Sequence, residues 1–160
     1  MKKSRAWMKF SRDSVPVSPR NPELQVRKIG PEHAEVFARI VAPCFDMTDE
    51  AIPLLAGLAN HPDWHLYMGF SGDLPAATGA LFMKDRIGYY DWAATHRDFR
   101  SRGFQGAVLS ALINDAARLN CNSLYTVTGE AVRGDPQHSY KNILRYGFVE
   151  TYLRENWMPV

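Results

Sequence analysis

Apolar positions along the chain alternate between two periods, and the switches mark its elements. Phe104, Ala107, Val108, Ala111, Leu112, Ala116 and Leu119 recur at steps of three or four, and Leu109 and Ile113 widen the stripe. This predicts a long helix opening after Gly103, with a face so broad that it must lie against a sheet. Ala34, Phe37, Ala38, Ile40 and Val41 give an earlier helix its inner face; it starts at Gly30-Pro31-Glu32 and ends at Pro43. A further helix is expected from Thr48 to about Ala59, and another from Gln137 to Tyr146, stopped by Gly147.

Between these helices the pattern reads as strands: Leu24 to Ile29, Leu66 to Phe70, Ala76 to Met83, Ile87 to Thr95, Ser123 to Thr128 and Phe148 to Trp157. Turns at Ser71-Gly72-Asp73 and Lys84-Asp85-Arg86 join the middle three into an antiparallel meander. The long helix then crosses the sheet, so Ser123 to Thr128 can run parallel to the strand ending at Thr95. The class is α+β (mixed α/β), with a central, mostly antiparallel sheet and helices on both faces. Ala6 to Phe10 reads as a short strand, and Ser14 to Pro22 holds three prolines and reads as an extended linker. The expected division is an N-terminal extension over 1–23 and one domain over 24–160.

Composition narrows the classes without choosing a function. A chain of 160 residues, 46% apolar and 22% charged, has the material for one core. A net charge of +2 without long basic runs argues against a nucleic-acid binder. No stretch has the length of a membrane span, and Met1-Lys2-Lys3-Ser4-Arg5 is not followed by an apolar leader, so a cytoplasmic protein is expected. Cys44 and Cys121 show neither metal spacing nor a disulfide framework. His61 and His65 are four apart, but Pro62 disrupts a helix there and no third ligand is evident; no metal is expected.

The candidate chemistry lies where the long helix begins. The first helical turn leaves backbone N–H groups unpaired at the positive end of the dipole. Arg100 and Arg102 add charge, while Gly103 and Gly106 let an anion approach the backbone. No Gly-Lys-Ser/Thr follows, so this is not a P-loop, and the spacing is not Gly-x-Gly-x-x-Gly. Arg100, Gly103 and Gln105 resemble the acyl-CoA loop of the GNAT acetyltransferases, Arg/Gln-x-x-Gly-x-Gly/Ala, with Gln105 departing from the usual small residue and Gly106 supplying it one place later. Ser139 to Phe148 resembles the helix-then-Gly-Phe segment that closes the acetyl-CoA site in many members. The order of elements matches over roughly residues 24 to 157. The family has two strands after the last helix, where this chain has room for one; Ala6 to Phe10 or a partner protomer in a homodimer would fill the vacant lane.

The resemblance implies acetyl-CoA as cosubstrate. Its pantetheine would insert beside Ala93, Ala94 and Thr95, and its pyrophosphate would sit on Arg100, Ser101, Arg102, Gly103, Phe104, Gln105, Gly106 and Ala107. Asn142 would bond the pantetheine amide or the adenylate side. Transfer would be direct, to a small amine or amino-acid derivative, with neither Cys44 nor Cys121 in the site. Asp91 is the candidate base: a lone acid in a strand, placed by alternation on the face of Ala93 and Thr95. Glu130 is a second candidate. Relatives place a tyrosine acid where this chain has Ile143, and Tyr140, one turn earlier, is the substitute. Two other readings stand beside the enzyme: a non-catalytic acyl-CoA-binding module, and a nucleotide-phosphate binder using the same basic loop.

Overall fold

The computed structural model describes residues 1–160. In chain order the elements are β1 (Lys2–Asp13), β2 (Gln25–Ile29), α1 (Pro31–Cys44), α2 (Ile52–Gly57), β3 (Trp64–Ser71), β4 (Leu74–Lys84), β5 (Ile87–Thr95), α3 (Phe104–Arg118), β6 (Ser123–Gly129), α4 (His138–Arg145) and β7 (Val149–Met158). Short 3-10 turns flank α2 at Asp49–Ala51 and Leu58–Asn60, so the expected helix from Thr48 to Ala59 is one α-turn and a half between two tighter ones. Pro53 within it cannot donate to a longer α ladder. None of the helices is long and apolar enough to cross a membrane.

All seven strands form one sheet in the order β2-β3-β4-β5-β6-β1-β7. Every neighbouring pair is antiparallel except β5 and β6. β1 runs far beyond the Ala6 to Phe10 expected of it. It pairs with β6 from Trp7↔Gly129 to Asp13↔Ser123, and with β7 from Lys2↔Met158 to Ser11↔Val149. The N-terminal segment thus occupies the lane between the last two strands of the chain, and Ala6 and Phe10 are buried there.

Helices cover both faces. On one, α3 and α4 pack Val108, Leu112, Ile113 and Ile143 against Phe10, Leu81 and Leu124. On the other, α1 and α2 pack Phe37, Val41 and Leu55 against Leu66, Met68 and Ala80. α3 sits close to the sheet because Gly79 has no side chain: a Cβ there would lie 2.6 Å from a Val108 methyl and 3.1 Å from the Tyr90 ring. This approach holds the start of α3 against the end of β5.

Candidate functional site

The parallel pair β5 and β6 is joined only at its beginning. Its register runs through Ile87↔Ser123, Gly88↔Leu124 and Tyr89↔Tyr125, and stops. One step on, the Thr126 hydroxyl donates to the Tyr90 carbonyl at 2.9 Å, and beyond that bond the strands part. β6 stays paired with β1 along its whole length, from Ser123 to Gly129, while β5 stays with β4. The result is a V-shaped opening through the sheet.

A bulge in β5 shapes one wall of this opening. Ala80 faces Asp91 and Thr78 faces Ala94, so Gly79 stands opposite two residues, Trp92 and Ala93. Trp92 takes a positive φ of 52°, a strained conformation for a large side chain. It is held from both sides: the Thr78 hydroxyl donates to the Trp92 carbonyl at 3.0 Å, and the Trp92 amide donates to Asp91 Oδ1 at 2.8 Å. The bulge overturns the expected alternation. Asp91, opposite Ala80, shares the α1 face with Trp92 and Ala94, whereas Ala93 packs toward α3. One inserted residue moves every later side chain to the other face.

On the α3 side lies a cleft of about 710 Å³ between the loop after β5, the first turn of α3, and α4. Gly103 takes φ +83° and turns the chain into α3. No hydrogen bond within the chain takes up the amides from Ser101 to Gly106. Six free donors at the start of a 15-residue helix form a strong anion-binding surface. Arg100, His138, Lys141 and Arg145 line the cleft, and no acidic residue does.

The expected cofactor residues are distributed unevenly around it. Ala93, Ala94, Thr95, Arg100, Ser101, Gly103, Phe104, Gln105 and Asn142 line the cleft. Arg102 does not; its guanidinium lies over the Phe99 ring, 5.4 Å from the centroid. Gly106 abuts the Tyr146 ring and Ala107 is buried. Gln105, the departure from the motif, ties the cleft wall together. Its amide nitrogen donates to Ser139 Oγ at 3.0 Å, and its oxygen accepts from Asn142 Nδ2 at 2.8 Å. Asn142 in turn accepts from Arg145 at 3.2 Å.

Through the opening a second cavity, of about 590 Å³, continues from the first; Cys44, Ala93, Gln105 and Ser139 line both. The expectation that no cysteine lies near the site is therefore corrected. α1 ends beside β5, and Cys44 Sγ sits 3.7 Å from the Thr95 carbonyl oxygen, at the junction of the two spaces. Only the packing of α1 across the sheet brings it there.

Asp91 is the one acidic residue of the second cavity. Burial raises its pKa, and the Trp92 amide and the charge of Lys9 oppose that shift without cancelling it. Neither Arg86 nor His96 pairs with it: Arg86 bonds the Asn120 carbonyl and His96 faces Asp98. Tyr89, Tyr90 and Trp92 line this cavity, while Trp64, Tyr67 and Phe70 belong to the core. Trp7, Phe45 and Met47 also line it. These three were missed, being far apart in sequence and in no motif; the exposed side of the β1 alternation was the only trace Trp7 left.

Two further candidates stand elsewhere. Tyr140 projects away from both cavities: its hydroxyl donates to Glu150, its ring packs edge-on against Phe10 at 5.0 Å, and burial together with the Glu150 carboxylate pushes its pKa up to about 12. Glu130 accepts the Ala6 amide at 2.9 Å and fastens β1 to the end of β6. Neither is brought to Asp91, so the substitute acid and the second base are corrected on position.

No protein-family model and no curated protein matches the sequence. Solved structures do. A GCN5-related N-acetyltransferase from Sphaerobacter thermophilus superposes with a TM-score of 0.71 at 17% identity, over 97% of this chain and 52% of that one. One from Kribbella flavida gives 0.69 at 12% identity, over 96% and 58%. The chain therefore spans little more than half the length of these two. A predicted acetyltransferase from Clostridium acetobutylicum, solved with acetyl-CoA, gives 0.65 at 16% identity over 86% of this chain and 95% of that one. The fold is that of the GNAT acetyltransferases.

Proposed function

We propose that the protein is an acetyl-CoA-dependent N-acetyltransferase acting on the primary amine of a small molecule. The observation that carries this reading is the set of free amides at Ser101, Gly103, Phe104 and Gln105, opening on an acid-free cleft that continues through the β5–β6 gap to a half-buried carboxylate. The amides and Arg100 suit the pyrophosphate of CoA; the gap suits an extended pantetheine, whose amides can pair with the backbone edge of β5 that β6 leaves free. The Clostridium acetobutylicum structure, solved with acetyl-CoA, supports this choice of cosubstrate.

Asp91 stands at the far end of that path. Its raised pKa suits a base that takes the proton of an incoming ammonium. The freed amine nitrogen attacks the thioester carbonyl carbon, the carbon–sulfur bond breaks, and the CoA thiolate leaves with the electron pair. As the tetrahedral intermediate collapses, the nitrogen sheds its second proton to water, and water delivers one to the departing thiolate, leaving a neutral amide and the CoA thiol. Transfer is direct, without an acetyl-cysteine intermediate; the Cys44 thiol faces the Thr95 carbonyl at 3.7 Å.

The second reading, a non-catalytic acyl-CoA module, is favoured by one observation: the Tyr140 hydroxyl is committed to Glu150 and supplies no acid. Calorimetry with acetyl-CoA, followed by thiol release across a panel of amines, separates the two. Binding with turnover supports the enzyme, and binding without turnover on any amine supports the module. Absence of binding overturns both.

A further inference from the structure

The second cavity is chemically one-sided, and this bears on what enters it. Its walls carry Trp7, Phe45, Met47, Tyr89 and Trp92, with Asp91 as the only carboxylate and no lysine, arginine or histidine. The rings come from three separate places: β1, the turn after α1, and β5. Phe45 and Trp92 meet edge to face at 5.5 Å. At the outer rim the Lys9 ammonium stands 6.0 Å from the Tyr89 ring centroid, and Arg154 stands 4.7 Å from that of Trp7. Lys9 also stands 5.9 Å from the Trp7 centroid, and its charge acts on Asp91, but neither cation is among the lining residues. A volume of about 590 Å³ falls in the range of small-molecule sites, ~300–1,000 Å³.

We infer that the acceptor is an aromatic monoamine without a free carboxylate, its ammonium on Asp91 and its ring among Trp7, Phe45, Met47, Tyr89 and Trp92. This rests on the acetyltransferase reading and narrows it. A carboxylate beside the amine would find no cation among the lining residues and would be repelled by Asp91; the Lys9 charge at the Trp7 and Tyr89 rings already acts on Asp91. A polyamine would bring a second charge where only one acid waits. An aromatic body buries its apolar surface against the rings and gains further from edge-to-face contact. Amino-acid derivatives fit only with the carboxyl group masked as an ester or amide.

The experiment compares kcat/KM for 2-phenylethylamine, phenylalanine, phenylalanine amide, methylamine and spermidine, with acetyl-CoA binding measured on the same preparation. The expected order places 2-phenylethylamine and the amide on the order of a hundredfold above phenylalanine, and at least roughly tenfold above methylamine and spermidine. Phe45→Arg, at a residue 41% exposed, is expected to lower kcat/KM for 2-phenylethylamine at least about tenfold and to narrow the gap to phenylalanine. Its acetyl-CoA affinity should stay unchanged. Acetyl-CoA binding with phenylalanine or spermidine turned over as well as 2-phenylethylamine would overturn the inference while leaving the acetyltransferase in place. So would phenylalanine turnover that is lost in Lys9→Ala, since Lys9 would then be receiving the carboxylate. Absence of acetyl-CoA binding, or binding with no amine turned over, would overturn the inference along with the reading beneath it.

Discussion

The two ends of the passage through the sheet are built in opposite ways. The end at α3 is a backbone site: the free amides of Ser101, Gly103, Phe104 and Gln105, a left-handed glycine at Gly103, and a rim of basic side chains around an acid-free cleft. The end beyond the β5–β6 gap is a side-chain site, with rings and one carboxylate drawn from β1, the turn after α1, and β5. A backbone site recognises what all diphosphates share, and tolerates exchange of most side chains. A side-chain site recognises one class of partner and changes with each residue. Their shared wall, Cys44, Ala93, Gln105 and Ser139, is where a thioester would pass from one regime to the other.

The sharpest way to break this contrast is Asp91→Asn. It should lower kcat/KM by roughly 10²–10⁴-fold, the usual range for a lost general base, with acetyl-CoA affinity nearly unchanged by calorimetry. The same substitution should raise thermal stability at neutral pH. Burial lifts the folded pKa of Asp91 above its unfolded value. Its contribution is therefore favourable below the ordinary carboxylate range and is lost as pH rises through the folded pKa. The gain in Tm from the amide should shrink as pH falls toward 4, the usual aspartate range of about 3.9. In the wild type, kcat/KM should show an acid limb above that range, absent in the amide variant. An equal loss of binding and turnover would show that Asp91 serves both ends.

Gly103→Glu tests the other end, with an expected loss of acetyl-CoA affinity of about a hundredfold, since it brings an anion to the diphosphate amides. A Cβ at this position would lie 2.0 Å from Asn21 Nδ2, and φ is +83°. Gly103→Ala carries the same backbone strain, about 1 kcal/mol, without the charge. Calorimetry on the pair therefore separates repulsion from distortion; equal losses would remove the anion site.

Alkylation of Cys44 should act on both ends at once. Maleimide treatment is expected to reduce turnover at least about tenfold, since added bulk at the shared wall displaces the thioester. Acetyl-CoA should protect, and Cys44→Ser should be insensitive. Cys121 is buried elsewhere and serves as the internal control, read by mass spectrometry. The smallest effect is expected of Tyr140→Phe: kcat/KM within about twofold of wild type, with stability lowered by ~1 kcal/mol for the lost bond to Glu150. A large fall in kcat at unchanged stability would return Tyr140 to the chemistry.

Legibility in the sequence followed the same division. The start of α3 is local: the loop arginines, Gly103 and the apolar stripe of the helix lie within about one stretch of chain, and each has a short-range physical reason to be there. Arg102 was the exception, because whether a guanidinium faces the cleft or stacks on Phe99 is settled by where Phe99 packs against Phe104, at a centroid distance of 6.0 Å. The second cavity is non-local. Trp7, Phe45 and Asp91 are separated by dozens of residues, and the bulge at Trp92 moved Ala93 off the face that alternation had it share with Asp91. A bulge depends on what the neighbouring strand offers, here Thr78 and Gly79, and not on β5 alone.

Hydrophobic periodicity determined the helices and strands, their order, and the parallel step across α3, because each element must bury its own apolar face whatever surrounds it. Tertiary structure decided which lane β1 occupies, how far β5 and β6 part, and which distant rings share one cavity. Those outcomes turn on competition among strand edges and faces for partners, and such a competition is resolved only when the whole chain is assembled.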